Sequence, residues 1–170
     1  QPQGLSDQDL VYLITPDRFH NGDPSNDDVP GMRERGVDRS EPYARHGGDL
    51  KGVQMGLNYI ESLGATALWL NPVLENDMMR DSYHGYAITD HYRVDPRYGG
   101  DDALRELATE LHQREMKHIM DIVYNHWGVE HYLHRNLPDS GMVHFNPDGS
   151  IPYSNFRFSA LADPHALAQD

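Results

Sequence analysis

Residues 121–126 read DIVYNH, an apolar run that opens on a carboxylate and closes on Asn-His. Alternation with a period of two, as in a strand, places Ile122 and Tyr124 on one face and Asp121, Val123 and Asn125 on the other. A carboxylate inside such a run costs several kcal/mol to bury unless it is hydrogen-bonded or paired. A partner for Asp121 is therefore expected, and polar groups collected at the end of a strand are where sites are commonly built.

Working outward, the run 118–124 reads as the last of three strands. The first is Leu10 to Ile14 (LVYLI), an apolar run expected to be buried and closed by Pro16; the second is Ala67 to Leu70 (ALWL), stopped by Asn71-Pro72. Between them, Val53, Leu57, Ile60 and Leu63 recur at helical spacing from Lys51 onward, with Gly64 where a C-cap is expected. A second helix spans about Asp101 to Arg114, with Leu104, Leu107 and Leu111 on one side and two aspartates at the end where the helix dipole favours anions. Strand, helix, strand, helix, strand implies an α/β arrangement with parallel strands. Asp17 to Gly48 and Val73 to Gly100 read as long loops, the first unusual in a compact domain unless functional or held by a ligand. After His126 the periodicity dissolves, and residues 127–170 read as an excursion from the sheet.

Composition narrows the function. Fourteen Lys and Arg against 27 Asp and Glu give a formal charge of −13, which disfavours nucleic acid and anionic membrane as partners. The absence of cysteine removes disulfides, thiolate metal sites and thiol nucleophiles. No apolar run approaches the length of a membrane span. QPQGLSDQDL, residues 1–10, lacks the basic and apolar regions of a secretory leader. A processed exported protein would read the same, so periplasm, exterior and cytoplasm stay open. His131 and His134, three apart, offer a possible metal pair or simply polar loop residues.

In parallel α/β sheets and barrels, sites form at the C-terminal ends of the strands. Asp17 and Arg18 follow the first strand, Asn71 the second, and Asn125 and His126 the third. The stretch NGDPSND, residues 21–27, adds oxygen side chains at Asn21, Asp23, Asn26 and Asp27; Gly47, through its carbonyl, and Asp49 could complete an oxygen cage for Ca²⁺. The spacing is not that of an EF-hand, and Asn-Gly-Asp-Pro is equally ordinary turn vocabulary. In YHGYAITD, residues 83–90, tyrosines and a histidine flank a glycine; their flat faces and polar edges suit a sugar, or the rings serve the core.

Together these motifs resemble the alpha-amylase family of glycoside hydrolases. DIVYNH resembles its strand-three region, YHGYAITDHYRVDPRYGG its HGY segment and the turn before helix two, and HGGDLKGV with LGATALWLNPV its passage from helix one through strand two. YLITPDRFHNGDPSND is similar to the cyclomaltodextrinase, neopullulanase and maltogenic amylase group. The resemblance implies the first three βα units of a (β/α)8 TIM barrel over residues 1–126, with residues 127–170 beginning the irregular domain inserted after strand three. It implies a structural Ca²⁺ on Asn21, Asp23, Asn26, Asp27, Gly47 and Asp49. It implies substrate contacts from His126, Tyr86 and His84, with Asn125 and Asp121 supporting the site, the partners of Asp121 lying on strands beyond this chain.

The implied partner is an α-glucan oligosaccharide. Ala87 stands where relatives acting on α-1,6 or terminal α-glucosides often carry Asp, which favours α-1,4 bonds in cyclodextrins and maltodextrins. The family's retaining mechanism needs two carboxyl groups about 5–5.5 Å apart, set in motifs after strands four and five. No G-x-R-x-D occurs here, and Asp163 and Asp170 lie in no matching motif. Since a complete barrel takes about 250 residues, the remainder of the same polypeptide is expected to carry the catalytic acids, and this segment to be inert alone. A non-catalytic relative with a sugar-binding or structural role, and a transglycosylase or isomerase on the same scaffold, remain the alternatives.

Overall fold

A computed structural model describes residues 4–136 and 146–149. Its centre is a parallel three-stranded sheet in the order β1 (Val11–Ile14), β2 (Ala67–Leu70), β5 (Lys117–Met120). The register aligns Val11 with Ala67 and Lys117, and Ile14 with Leu70 and Met120. Between β1 and β2 come α1 (Pro16–Phe19), α2 (Leu50–Met55) and α3 (Leu57–Ser62). Between β2 and β5 come β3 (Leu74–Glu75), β4 (Asp90–Val94) and α4 (Gly100–Gln113); α5 (Tyr132–Arg135) follows β5. Of the expected inserted segment, residues 137–145 and 150–170 lie outside the described residues, Asp163 and Asp170 among them.

The sheet buries one face. Ile14, Leu68 and Leu70 join Leu50, Val53, Leu57, Ile60, Leu107, Leu111 and Met116 in one core, because α2, α3 and α4 lay their apolar stripes on that side. The opposite face, in register across the strands, carries Val11, Leu13, Trp69 and Ile119. Leu13 is 58% exposed and Val11 39%, on the side of β1 that none of these helices covers. The expected helix over 51–63 is two short helices meeting at Gly56, a weak helix former whose N–H is shared between the carbonyls of Gly52 and Val53. The apolar stripe consequently begins at Leu50, and Leu63 is exposed.

Two further expectations change. The third strand ends at Met120, so DIVYNH leaves the sheet: Val123 is buried while Tyr124 is 86% exposed. The stretch 73–100 is not structureless. β3 and β4 pair antiparallel, with Thr89 N–H donating to Glu75 O at 2.8 Å and Asp95 N–H to Val73 O at 2.9 Å.

Asp95 and Arg97, both buried, join the connections. Arg97 donates through Nε to Asp95 Oδ1 at 2.9 Å and through Nη2 to Asp95 Oδ2 at 2.7 Å. It also donates to the carbonyls of Asn76 and Glu34, at 3.0 and 3.2 Å. Asp95 accepts the Asn76 and Arg97 N–H groups at 3.1 and 2.9 Å. Burial works against the charged carboxylate, but hydrogen bonding and the charge of Arg97, with Arg45 nearby, outweigh it and hold Asp95 below the ordinary carboxylate range. Stability from this pair is present at neutral pH and is lost only as acid protonates Asp95 below that range.

Removing one partner would strand the other as a buried charge. Asp95→Ala is expected to destabilise the fold by about 3–5 kcal/mol, read from the denaturant midpoint at pH 7; a change under about 0.5 kcal/mol, the size of a typical surface substitution, would contradict the network's role.

Candidate functional site

The C-terminal ends of β1, β2 and β5 deliver three connections to one rim, and there the HGY turn meets the segment after β5. Gly85 makes the turn possible: at φ +82° it passes so close that an added Cβ would lie 2.0 Å from the Pro72 carbonyl oxygen. Tyr86, next in the chain, is the node. Its N–H donates to His84 Nδ1 at 2.9 Å, its carbonyl accepts from His126 Nε2 at 2.9 Å, and its hydroxyl donates to Asp121 Oδ2 at 3.0 Å. The His84 ring stacks beside Tyr86, centroids 6.0 Å apart. Three of the expected substrate and support residues thus converge on Tyr86, and Asn125 lies exposed next to His126.

The partners of Asp121 differ from expectation. They lie within this chain: Tyr86 and the Trp69 indole, whose Nε1–H donates to Asp121 Oδ2 at 3.3 Å. Trp69 was the residue to notice. An indole is a donor only, and the period of two puts it on the same sheet face as position 121 would occupy one step past Met120.

Protonation is set by these contacts. His84 accepts at Nδ1 and so carries its proton on Nε2. Burial, with His126 adding to it, lowers the pKa of His84 against the opposing pull of Asp81 and Glu34, leaving the ring neutral at pH 7. Burial and the hydrogen bond to anionic Asp121 push the Tyr86 phenol upward, so it stays a donor.

Of the other strand-end residues, Asp17 is buried and turned inward. It accepts the N–H groups of His46 and Gly47 and sits beside Arg18 and Arg45. Arg18 lies 3.8 Å over the Tyr83 ring and donates to the carbonyls of Pro42 and Ala44. Both shape the long loop and neither faces the rim as a reactive group. Asn71 donates its N–H to Ile14 O at 2.9 Å.

The loop after β1 is gathered around Asp49. Its Oδ1 accepts from Gly22 N and Gly52 N at 3.1 and 2.6 Å, and its Oδ2 from Asp23 N and Asn26 Nδ2 at 2.8 and 3.1 Å. Asn21 Nδ2 donates to both Asp27 oxygens at 2.8 and 2.9 Å. Gly47, at φ +85°, fits against these two side chains, a Cβ there falling 2.6 Å from Asp27 Oδ1. Of the six expected ligands, Asn21, Asp27 and Gly47 meet one another and Asn26 meets Asp49, but the Asp23 carboxylate turns to Ser25, accepting its N–H and hydroxyl at 3.0 and 2.6 Å. The amide oxygens of Asn21 and Asn26 are buried and make no hydrogen bond. No three His, Cys, Asp or Glu side chains form a metal cage among the described residues, so any cation here would draw on amide and main-chain oxygens too.

The His131–His134 pair is not a metal site in this structure. His131 is buried, its Nδ1 accepts from Leu133 N at 3.1 Å, and its Nε2 meets His91 Nδ1 at 3.2 Å. Both ring nitrogens are engaged. Among the described residues no helix is long and apolar enough to cross a membrane.

Comparison with known proteins agrees with this geometry. Residues 13–156 match the family described as alpha amylase, catalytic domain. Neopullulanase 2 of Thermoactinomyces vulgaris is 40% identical over 133 residues, 78% of this chain and 22% of that protein. A cyclomaltodextrinase of Thermoanaerobacter pseudethanolicus is 34% identical over 140 residues, 82% of this chain and 23% of that protein. The crystal structure of an Anoxybacillus alpha-amylase superposes with a TM-score of 0.76 at 35% identity, covering 95% of this chain and 32% of that one. The chain thus spans about a fifth of the curated relatives' length.

The loop analysis carries its own test. In metal-free buffer, Asp49→Ala should cost on the order of 3 kcal/mol, because four N–H donors lose a charged acceptor at once. Thermal melting checks this, and an unchanged midpoint would show that the loop holds without the carboxylate.

Proposed function

This chain belongs to the alpha-amylase family, its three βα units being the first of a TIM barrel, and from that premise we propose that the protein carrying it is a retaining α-glucan hydrolase. Its substrates would be cyclodextrins, maltodextrins or related starch oligosaccharides joined by α-1,4 bonds. The observation that carries the reading is the convergence of His84, His126 and Asp121 on the half-exposed ring of Tyr86 at the strand-end rim. An aromatic ring held on three sides offers a flat face to the apolar side of a glucose unit. His84 Nε2–H and the His126 imidazole lie beside it to meet sugar hydroxyls, and Asp121 fixes the ring's orientation through the phenol.

The two carboxyl groups of a retaining glycosidase would come from other parts of the polypeptide, since none of the acids here lies in a matching motif. Binding and orientation are the work of this segment, and alone it would release no sugar. Alignment with proteins named for pullulan and cyclodextrin cleavage supports the substrate class.

The reading also includes a structural Ca²⁺ on the loop after β1. Its support is two buried, unpartnered amide oxygens, that of Asn21 beside Asp27 and Gly47 and that of Asn26 beside Asp49, oxygen donors of the kind that suit this ion. Asp49, and Asp23 once turned from Ser25, would complete the set. A bound ion would fasten the loop that leads to the rim.

Two measurements test these statements on the full-length protein. Release of reducing ends from β-cyclodextrin and maltoheptaose is expected, and His126→Ala should lower kcat roughly 100-fold with the melting temperature little changed. Absence of release by the wild type, or full turnover by the variant, would sink the assignment. Separately, Ca²⁺ at about 100 times its Kd should add about 2.7 kcal/mol of stability, an increment that Asp27→Ala removes; a melting curve indifferent to chelator would end the calcium reading.

A further inference from the structure

Behind the rim, two histidines that the glucan contacts do not use form a continuous hydrogen-bonded chain. Leu133 N–H donates to His131 Nδ1 at 3.1 Å, so the His131 proton sits on Nε2. That Nε2 lies 3.2 Å from His91 Nδ1, which must therefore accept. The His91 proton is thereby placed on Nε2, which donates to the carbonyl of Val123 at 3.2 Å. Only one arrangement of protons satisfies every link, with both rings neutral and the chain running from α5 through β4 to the segment after β5.

Val123 is three residues before His126, and the same segment makes two more bonds to the strand of chain that carries Tyr86. These are His126 Nε2–H to Tyr86 O at 2.9 Å and Gly128 N–H to Ile88 O at 2.8 Å. The His131 ring is held on its faces by Trp127, centroids 5.3 Å apart, and Tyr132, 4.5 Å apart. Because β5 ends at Met120, no sheet hydrogen bonds hold residues 121–126, and these links take their place.

We propose that His91 and His131 are positioning residues for the hydrolase site, a relay of two neutral imidazoles that seats the Val123–His126 segment and is broken by a single added proton. A second proton on His131 would aim Nδ1–H at Leu133 N–H; on His91 it would aim Nδ1–H at His131 Nε2–H. Either clash opens the chain next to His126. Burial and the neighbouring His91 disfavour charge on His131, and Asp90 on β4 pulls the other way without reversing the direction. The remaining charges nearby are paired, Glu130 with Arg33 and Arg93 with Glu75. The folded chain therefore binds fewer protons at His131 than the unfolded chain does, so stability falls as pH drops below the ordinary imidazole value of about 6.5.

The inference rests on the hydrolase reading, and one experiment separates the two. On the full-length protein, kcat and KM for maltoheptaose are measured against pH for wild type, His91→Phe, His126→Ala, the double variant, His91→Gln and His91→Gln/His131→Gln. His91→Phe is expected to lose about tenfold in kcat with KM little changed, and to cost nothing further in the His126→Ala background. His91→Gln, which can accept and donate but cannot take up a proton, should recover most of that loss. Combined with His131→Gln, so that neither member of the relay can take up a proton, it should also show an acid limb at lower pH than the wild-type limb. Additive losses in the cycle, or coincident acid limbs for wild type and His91→Gln/His131→Gln, would overturn the relay while the hydrolase reading stands. If His91→Phe fails to fold, the acid limb of His91→Gln/His131→Gln decides alone. A wild type inactive on every α-glucan tried would remove the hydrolase reading and the positioning role with it.

Discussion

The buried pair of Asp95 and Arg97 is the constraint on which the rest depends. Neither charge has water to solvate it, so each must be satisfied by the other and by the backbone. The backbone groups it recruits belong to three different connections: Glu34 in the loop after β1, Asn76 after β3, and residues 95–97 before α4. Loops have few apolar side chains to bury, and a low-dielectric ionic node is one of the few ways to fasten three of them at a point. Arg45, buried with its guanidinium 4.8 Å from the Tyr98 ring, extends the same node toward Asp17. Ser82, whose N–H donates to Glu34 Oε2 at 2.8 Å, carries it to the turn that presents Tyr86.

The rim is therefore built from the loops inward. Tyr86 has every polar group committed, N–H to His84, carbonyl to His126 and hydroxyl to Asp121, which leaves the ring little rotational freedom. A ring fixed before a sugar arrives loses less conformational entropy on binding than one that must be ordered by it. The Asp49 cluster does for the loop after β1 what Tyr86 does for the rim. One carboxylate gathers N–H groups from residues 22, 23, 26 and 52, and α2 starts where its N-cap oxygen is already in place.

The sheet is apolar on both faces although helices cover only one of them. β1 and β2 are nearly all apolar, yet only one side of each is covered by α2, α3 and α4. Strands in closed parallel barrels are apolar on both faces because helices cover the outside and other strands' side chains fill the inside. Val11, Leu13 and Trp69 carry that second face here, and their exposure follows from the three strands present.

Much of this was legible in the amino-acid order. The α/β class, the position of β2 and the bounds of α4 to within a residue follow from hydrophobic period and turn residues, which are local properties of the chain. The meeting of Asn21 with Asp27 and of Asn26 with Asp49 was also visible, since oxygen side chains at close spacing leave a compositional mark. Three things were decided only by the tertiary structure. DIVYNH leaves the sheet after Met120; the partners of Asp121 are Trp69 and Tyr86; and His91 is joined to His131 across 40 residues. Each depends on which distant backbone groups are left without a partner once the strands pair, and no local period records that. Sequence determines which residues can donate, accept or pack; only the folded chain settles which of those capacities meet.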